Sequence, residues 1–576
     1  MVDFFCLSSW INPLSLMFNS FLADQSLRET KKALLFLVSF LIVSFGQPAW
    51  EPALGLIAAS IGFALFWSVI FDLKPGLRFG LSCLWFTGVQ LIQLSWLISH
   101  PFLYIYALYF FLSIIMGGQF GLIGLLITSE RIKSILGIIA VASVWVLMEW
   151  ARLFLLSGFP FNPVGLALTG QLYSLQGASL FGVYGLSFWV ILTNLFVLRW
   201  GYFYRVSFIN GALVAAIIGM PYVFGFFHYK YHENKLSQGG LESVKALLVQ
   251  TAFPIEENLN FGSLADAVAY TQAEWGKIVA TLSEKHGDKV DLIVLPEYVV
   301  PYGTYLPIYK LSDVHRLFEK YYGESIIDRL PALMEPLATK ASGEWMVTNA
   351  FWAQALANIH AAELVVGLQD DQWVDDHQRE SYSSAFYFWP NGYQGLRYEK
   401  RILVPMGEYI PFAFCRELAK SYGICGSFTC GQGAKVFPGR KAPFGVSICY
   451  EEIYGDLMRE NRTKGAQLLV NLTSDVWYPG SRLPKQHFDH ARLRTVECGI
   501  PLIRACNTGV TGAIDSLGRI IAIWGDGTWR TEWIRGALDV TVPLYHYKTL
   551  YAHFGDVMIV GFSFLAAIIY FLRSFF

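Results

Sequence analysis

The hydropathy of this chain changes character twice, and that division limits what it can fold into. Up to about residue 228 the sequence is a series of apolar runs with short polar breaks. From 242 to about 545 apolar and polar residues mix, and a last apolar run closes the chain. Eight runs are candidate membrane spans: Ala33–Phe45, Ala53–Phe71, Phe79–Ile98, Phe102–Thr128, Ile135–Leu156, Ala178–Leu198, Ile209–Phe227 and Val557–Leu572. A span needs about 20 mostly apolar residues. The first run is short, and a signal peptide is its competing reading. Only 15% of the 576 residues are charged, against about 25% in a soluble domain, so much of the chain is expected to face lipid.

Loop charges orient the spans. Arg28, Lys31 and Lys32 precede the first; Lys74 and Arg78 separate the second and third; Arg131 and Lys133 the fourth and fifth; Arg199 and Arg205 the sixth and seventh; Arg573 follows the last. The intervening loops 47–52 and 99–101 carry no Lys or Arg. Cytoplasmic loops are the ones enriched in these residues. The alternation predicts a cytoplasmic N-terminal segment (1–32), seven spans within 33–228, a soluble domain (242–545) on the outer face, and an eighth span at 556–573. In a bacterium with two membranes this is a multi-pass protein of the inner membrane with a periplasmic domain.

The 242–545 stretch alternates strand and helix signals. Val244–Gln250, Val290–Leu295, Leu364–Leu368, Ala385–Trp389, Gly445–Cys449 and Gln467–Asn471 read as strands, Ala265–Glu284 as a helix, and Asn391-Gly392 as a hairpin turn. Together they predict a layered α/β sheet. Residues 299–363 read as an insertion, with helical potential at Asp313–Tyr322 and Ile326–Ala341, lying over a site, against the membrane, or on a solvated surface.

Net charge is −1, which leaves no footprint for nucleic acid. Eight cysteines are too few and too scattered for a disulfide framework, and none has metal-ligand spacing. A disulfide among Cys415, Cys425 and Cys430 is open; Cys498 and Cys506 read as core.

Three residues stand where α/β sites form. Glu297 ends the run VDLIVLPE, where partial burial would suit a carboxylate to general-base work; an exposed loop glutamate is the alternative. Lys400 is placed to donate to an oxyanion, or is an ordinary surface lysine beside Arg397 and Arg401. Cys449 ends PFGVSIC, the strand-then-turn setting of a nucleophile, although burial in a core is the commoner fate of cysteine. Glu408 sits in a tight-turn setting between Gly407 and Tyr409. Glu149 and Arg152 are three apart on a span and can pair, as a structural lock or a functional site.

The order Glu297, Lys400, Cys449 and their contexts resemble the carbon–nitrogen hydrolase (nitrilase) superfamily over about 244–545. NLTSDVWYPG (471–480), QHFDHARLRTVECGIPLIRACNTGVTGAIDSLG (486–518) and GVSICYEE extend the likeness. MEWARLFLLSGFPFNP (148–163), GVYGLSFWVILTN (182–194) and LVPMGEYIPF (403–412) resemble the apolipoprotein N-acyltransferase family. The resemblance implies an αββα sandwich beside a polytopic helical membrane domain of about eight transmembrane helices. It implies an enzyme that moves an acyl chain from a phospholipid, typically phosphatidylethanolamine, to the α-amino group of a diacylglyceryl-cysteine apolipoprotein. The acyl group passes through a Cys449 thioester. Glu297 is the implied base, Lys400 with the backbone N–H of Tyr450 the implied oxyanion donors, and Glu408, Tyr450 and Glu451 supporting residues. Trp477 and Tyr478 are implied to line the acyl cavity, with Glu149 and Arg152 as further cavity candidates. No cofactor or metal is implied, and a monomer in the bilayer is expected.

Departures fall outside the triad. Phe161 stands where the family often has Trp, and Gln250–Phe261 lacks a tryptophan often found after the first strand, so Phe253 or Phe261 would substitute. Two other readings stay open: a membrane-tethered amidase using water, and a non-enzymatic scaffold or transporter with a decayed hydrolase domain.

Overall fold

The computed structural model describes residues 25–155, 157–203, 208–255, 261–373, 379–411, 415, 417, 420, 427–527 and 531–573. Arg205, Cys425 and the start of the N-terminal segment lie outside the described residues. The chain divides into two compact units. Met1–Leu155, Phe159–Tyr231 and Phe554–Phe576 form one; Leu156–Gly158 and His232–His553 form the other.

The first unit is helical. Its helices are α1 (Gln25–Phe45), α2 (Pro52–Ile70), α3 (Pro75–Gln93), α4 (Tyr104–Leu126), α5 (Ile135–Ala151), α6 (Ala178–Phe203) and α7 (Phe208–Ser237), with the C-terminal helix Val557–Arg573. Proline opens α2 and α3, where its missing N–H costs nothing. Ser134 caps α5 through its hydroxyl. Each of the eight apolar runs contains a helix among the described residues. Among the described residues five helices are long and apolar enough to cross a membrane: Pro52–Ile70, Tyr104–Leu126, Ile135–Phe154, Ala178–Phe203 and Ile209–Ser237. Val557–Arg573 is apolar but shorter.

With little hydrophobic drive between helices in lipid, close packing and internal hydrogen bonds must hold such a unit. Both are present. A Cβ on Gly117, Gly121 or Gly124 of α4 would lie 2.0–2.3 Å from Thr87, Cys83 or Ser82 of α3, so these helices approach through small residues. Helix α2 widens to a π turn at Ala58–Gly62. There Asn194 accepts from the Ala64 N–H at 3.0 Å and donates to the Ala59 carbonyl at 2.8 Å, taking the bonds the π turn displaces.

The second unit is a sandwich of two six-stranded sheets. The first sheet runs in the order β15 (Gly536–Pro543), β1 (Ser243–Gln250), β2 (Leu292–Val294), β6 (Glu363–Trp373), β7 (Arg379–Phe388), β8 (Leu396–Glu399). The second runs β14 (Ile520–Ile523), β13 (Gly512–Ile514), β12 (Leu502–Cys506), β11 (Leu468–Thr473), β10 (Phe444–Ile448), β9 (Val436–Phe437). The inner faces meet in a core that includes Leu248, Val294, Val365, Val446, Val470 and Ile503. Helices α8 (Leu264–Ser283) and α10 (Asn349–His360) cover the first sheet, as the core of Leu247, Ile293, Trp275 and Trp352 shows. Helices α11 (Gly455–Thr463) and α12 (Leu483–Cys498) belong with the second sheet. Strands buried on both faces read as continuous apolar runs, which is why the sequence located them. The Asn391-Gly392 signal falls in the β7–β8 connection, with Asn391 at φ 61°, but the loop runs from 389 to 395 and is no two-residue turn.

The insertion is a packed subdomain. Strands β3 (Tyr309–Lys310), β4 (Ala338–Ala341) and β5 (Glu344–Val347) form a small sheet, and α9 (Leu311–Tyr322) is helical as expected. Ile326–Ala341 is not a helix: one 3₁₀ stretch ends at Arg329, Pro331 and Pro336 follow, and a turn at 335–337 leads into β4. Val314, Phe318 and Ile326 join the core over the first sheet, so this segment is neither a solvated excursion nor free to swing.

Candidate active site

Glu297, Lys400 and Cys449 each lie just past the carboxyl end of a strand: β2, β8 and β10. The first two strands belong to one sheet and the third to the other, so the residues converge at the rim of the sandwich. Glu297 leaves β2 through a turn in which Tyr298 has φ 45°. The turn rests on Gly367 of β6, where a Cβ would stand 2.6 Å from Glu297 Cα. A side chain at 367 would push the carboxylate out of place. Lys400 is fixed by its backbone: its N–H donates to Ser383 at 2.8 Å, and its carbonyl accepts from Gly431 at 2.9 Å. Cys449 itself has φ 51°, a left-handed conformation uncommon for a residue with a side chain. Such strain is characteristic of active sites, and here it lets a short 3₁₀ turn, Cys449–Ile453, start abruptly at the strand end.

Lys400 Nζ donates to Glu297 Oε1 at 2.8 Å and to Glu408 Oε1 at 2.7 Å, with the lysine side chain 1% exposed. Glu408 is held in turn by the Val404 N–H at 2.8 Å on its other oxygen. The Cys449 sulfur lies 4.0 Å from the Ser474 carbonyl, and the charges of Glu297 and Lys400 both act on the thiol. Burial raises the Glu297 carboxyl above its usual range; Lys400 opposes that and Glu408 adds to it. Burial likewise raises the Cys449 thiol, and the Glu297 charge adds to this. Desolvation pulls Lys400 down, but the charges of Glu297 and Glu408 outweigh it and leave the ammonium well above its ordinary value. The lysine is thus a firm cation beside a thiol and a carboxyl that are both raised.

Glu451 has a different place. It is fully buried and accepts from Tyr398 Oη at 2.9 Å, Arg401 N–H at 2.5 Å, Ile402 N–H at 3.2 Å and Ile448 N–H at 2.8 Å. Those donors come from both sheets, so Glu451 staples the Lys400 loop to the Cys449 strand. Tyr450 Oη donates to the Gly158 carbonyl at 2.5 Å, and Tyr454 Oη to the carbonyls of Ser157 at 2.7 Å and Gly158 at 2.9 Å. Trp477 and Tyr478 are half-buried in the turn after β11, two and three residues beyond Asp475. Glu149 and Arg152 belong to the helical unit. There Glu149 Oε1 accepts from the Val164 N–H at 2.8 Å, while Arg152 donates to Gln119 Oε1 at 2.7 Å and the Asn162 carbonyl at 3.4 Å. Both pin the segment 162–164. Cys415 and Cys430 are free, and Cys498 and Cys506 are buried.

The carbon–nitrogen hydrolase family model matches residues 262–546, and the model of the apolipoprotein N-acyltransferase N-terminal domain matches 48–196. The apolipoprotein N-acyltransferase of Chlamydia pneumoniae is 31% identical over 558 residues, covering 92% of this chain and 95% of that protein. The chain belongs to the apolipoprotein N-acyltransferase family. The enzyme of the same name from Chlamydia trachomatis serovar D is 32% identical, covering 93% of this chain and 97% of its own length. Among solved structures, Saccharomyces cerevisiae Nit3 of the nitrilase superfamily aligns at a TM-score of 0.35 and 16% identity, over 54% of this chain and 93% of that one.

Two contributors to the site were not apparent in the sequence. Tyr398 meets Glu451 across the sandwich, a contact between residues 53 positions apart. Asn507 accepts through Oδ1 from Thr251 Oγ1 and from the Phe253 N–H, both at 2.7 Å, and reaches Ser474 Oγ at 3.3 Å. It ties the turn after β1 to the segment facing Cys449. Of the two expected stand-ins for the family's tryptophan, Phe253 is buried in that turn and Phe261 is exposed.

Proposed function

We propose that this enzyme transfers an acyl chain from a phospholipid to the α-amino group of a diacylated apolipoprotein, with Cys449 as carrier. One observation carries the reading: the buried Lys400 ammonium bridges Glu297 and Glu408, and Cys449 stands close enough for the charges of Glu297 and Lys400 to act on its thiol.

In the first step Cys449 Sγ attacks the ester carbonyl and Glu297 takes the thiol proton. Because thiol and carboxyl are both raised, the proton moves as the substrate arrives and is not lost in advance. Charge develops on the carbonyl oxygen, and Lys400 with the Tyr450 N–H meets it; preorganised donors in a water-poor site are worth most there. Glu297 returns the proton to the leaving lysophospholipid oxygen, and a thioester remains. In the second step the acceptor amine attacks that thioester. A free α-amino group has a pKa near 8, so Glu297 needs to remove only one proton as the C–N bond forms and the thiolate leaves. The amide product is more stable than the thioester, which makes the transfer downhill. Glu408 holds Lys400, Glu451 supports the turn carrying Cys449, and Trp477 and Tyr478 border the acyl-binding space.

The same reading takes phosphatidylethanolamine as donor, a monomer as the working state, and the bacterial inner membrane as the location. Residues 1–32 lie in the cytoplasm, 33–228 cross seven times, 242–545 face the periplasm and 556–573 cross once more. The loop charges support that orientation.

The test is direct. Purified protein incubated with acyl-labelled phosphatidylethanolamine should acquire hydroxylamine-sensitive label, which then passes to a diacylated lipopeptide amine. Label that persists in Cys449→Ala would sink the assignment of the nucleophile. Label that forms but passes only to water would favour the amidase.

A further inference from the structure

Beneath the nucleophile turn lies a second buried ion cluster that the chemistry above does not use. Strands β10, β11 and β12 pair in parallel, with Ser447 opposite Asn471 and Asn471 opposite Arg504. Side chains two apart on a strand share a face, so Arg504 lies on the face of its sheet that Ser447 and Asn471 share and that continues toward Thr473 and Cys506. Arg504 has no exposed surface. Its guanidinium meets Glu452, three residues past Cys449, and Asp475 Oδ2 at 3.3 Å, while its Nε donates to Cys506 Sγ at 3.2 Å. His487 of α12 closes the cluster, with ring nitrogens 3.0 Å from Asp475 and 3.2 Å from Glu452. Gly509, at φ 119°, packs against Asp475, where a Cβ would fall 2.5 Å from Oδ2.

Two features connect this cluster to the thiol. Glu452 is inside the turn that begins at Cys449. Asp475 follows Ser474, whose carbonyl faces Sγ at 4.0 Å, and its negative charge bears on the thiol. We propose that Arg504 is a positioning residue for the acyl-transfer step: it locks the Cys449 turn through Glu452 and holds Asp475 in an ion pair that partly offsets that carboxylate's charge beside the nucleophile. A planar five-donor fork can bridge two carboxylates at fixed angles, and an ammonium cannot.

The groups that act on Cys449 come from every side. Glu297 lies past β2, Lys400 past β8 with Glu408 behind it, and Asp475 past β11. Glu532 and Cys506 interact with Asp475. Removing Arg504 and removing Asp475 should move the thiol in opposite directions.

The inference rests on Cys449 being the nucleophile, but its readout is the thiol itself. Full-length protein in detergent is alkylated with iodoacetamide from pH 6 to 10, and the Cys449 peptide is followed by mass spectrometry, apart from the other free cysteines. Arg504→Gln should shift the Cys449 profile to higher pH by about one unit, the size expected for one unmasked neighbouring charge. Asp475→Asn should shift it to lower pH. Arg504→Lys should keep the wild-type profile while slowing acylation about tenfold, because charge is retained and the fork is lost. A folded Arg504→Gln whose profile overlays wild type overturns the proposal. So does Asp475→Asn with no shift or an alkaline one, which decides the matter even where Arg504→Gln does not fold. Loss of the iodoacetamide signal at Cys449 in all variants would overturn it too, whereas failure of the lipid-labelling test alone would count against the acyl-transfer reading.

Discussion

Two buried cations in the second unit each sit between two carboxylates, and they differ in how tightly they are held. Lys400 bridges Glu297 and Glu408, whose side chains are 9% and 16% exposed. Arg504 bridges Glu452 and Asp475, which are 0% and 2% exposed. The charge inventory is the same; the mechanical character is not. An ammonium on a four-carbon stem can release one oxygen and turn toward another, whereas a guanidinium fork is fixed by its own plane. A site that must greet a new oxyanion needs the first arrangement, and a floor beneath a nucleophile needs the second. Breaking a buried pair by removing one partner is costly in either case, so the comparison is best tested by changes that keep charge and alter mobility.

The largest effect should come from Lys400→Arg. The charge stays, but a fork held between Glu297 and Glu408 cannot redirect to the substrate oxygen. Loss of an oxyanion donor costs about 10²–10³-fold, so single-turnover thioester formation should fall by that factor while the protein still binds phospholipid vesicles. Near-normal acylation would show that Lys400 is a structural counter-ion like Arg504, and the contrast between the two clusters would collapse.

Glu451→Gln comes next, and its effect should be on stability. The carboxylate accepts from Tyr398 and from three backbone N–H groups, all donors. An amide offers two donors of its own to that ring and so sets donor against donor. A buried hydrogen bond to a charged group is worth about 1.5–3 kcal/mol, so a loss of that order in unfolding free energy is expected, read by thermal or chemical denaturation of the detergent-solubilised protein. A small change in stability with a large loss of acylation would instead give Glu451 a role closer to the chemistry than a staple between sheets.

The sequence anticipated these two clusters unequally, and the reason is physical. The strand cores were legible because strands buried on both faces read as near-continuous apolar runs, as LIVL, the ALLV of VKALLVQ and the LLV of LLVNLT do. Glu297 and Cys449 stood out because each follows such a strand, and chemistry collects at strand ends; Lys400 follows the polar, half-exposed strand LRYE and was singled out only by the family resemblance. Glu452 and Asp475 also flank strands and turns, yet nothing local separates them from surface acids. Their role depends on Arg504 and His487, 52 and 12 residues away along the chain, and on a sheet register that composition does not encode. The Ile326–Ala341 stretch failed for the opposite reason. Its apolar spacing suits a helix, but two prolines decide the backbone before packing does. For the same reason Glu149 and Arg152 were legible as unusual residues in an apolar span without revealing that their partners are Val164, Gln119 and Asn162.

The smallest effect should be that of Glu408→Gln, and its value lies in direction. Glu408 raises the Glu297 carboxyl through its charge and shares the Lys400 ammonium with it. Removing the charge takes away that repulsion and leaves Lys400 to pair more fully with Glu297. Both changes lower the Glu297 carboxyl. A general base works only when deprotonated, so the rate of thioester formation falls as pH drops through that value. In wild type this acid limb should lie above the ordinary glutamate range, near 4.3, and in Glu408→Gln it should move to lower pH. The plateau rate should drop about tenfold or less, because a less mobile lysine and a weaker base both reduce transition-state stabilisation. An acid limb that moves upward would mean that Glu408 acts on the amine or the leaving group and not on the Lys400–Glu297 pair. The mobile cluster would then have three members with separate duties, unlike the single locked unit around Arg504.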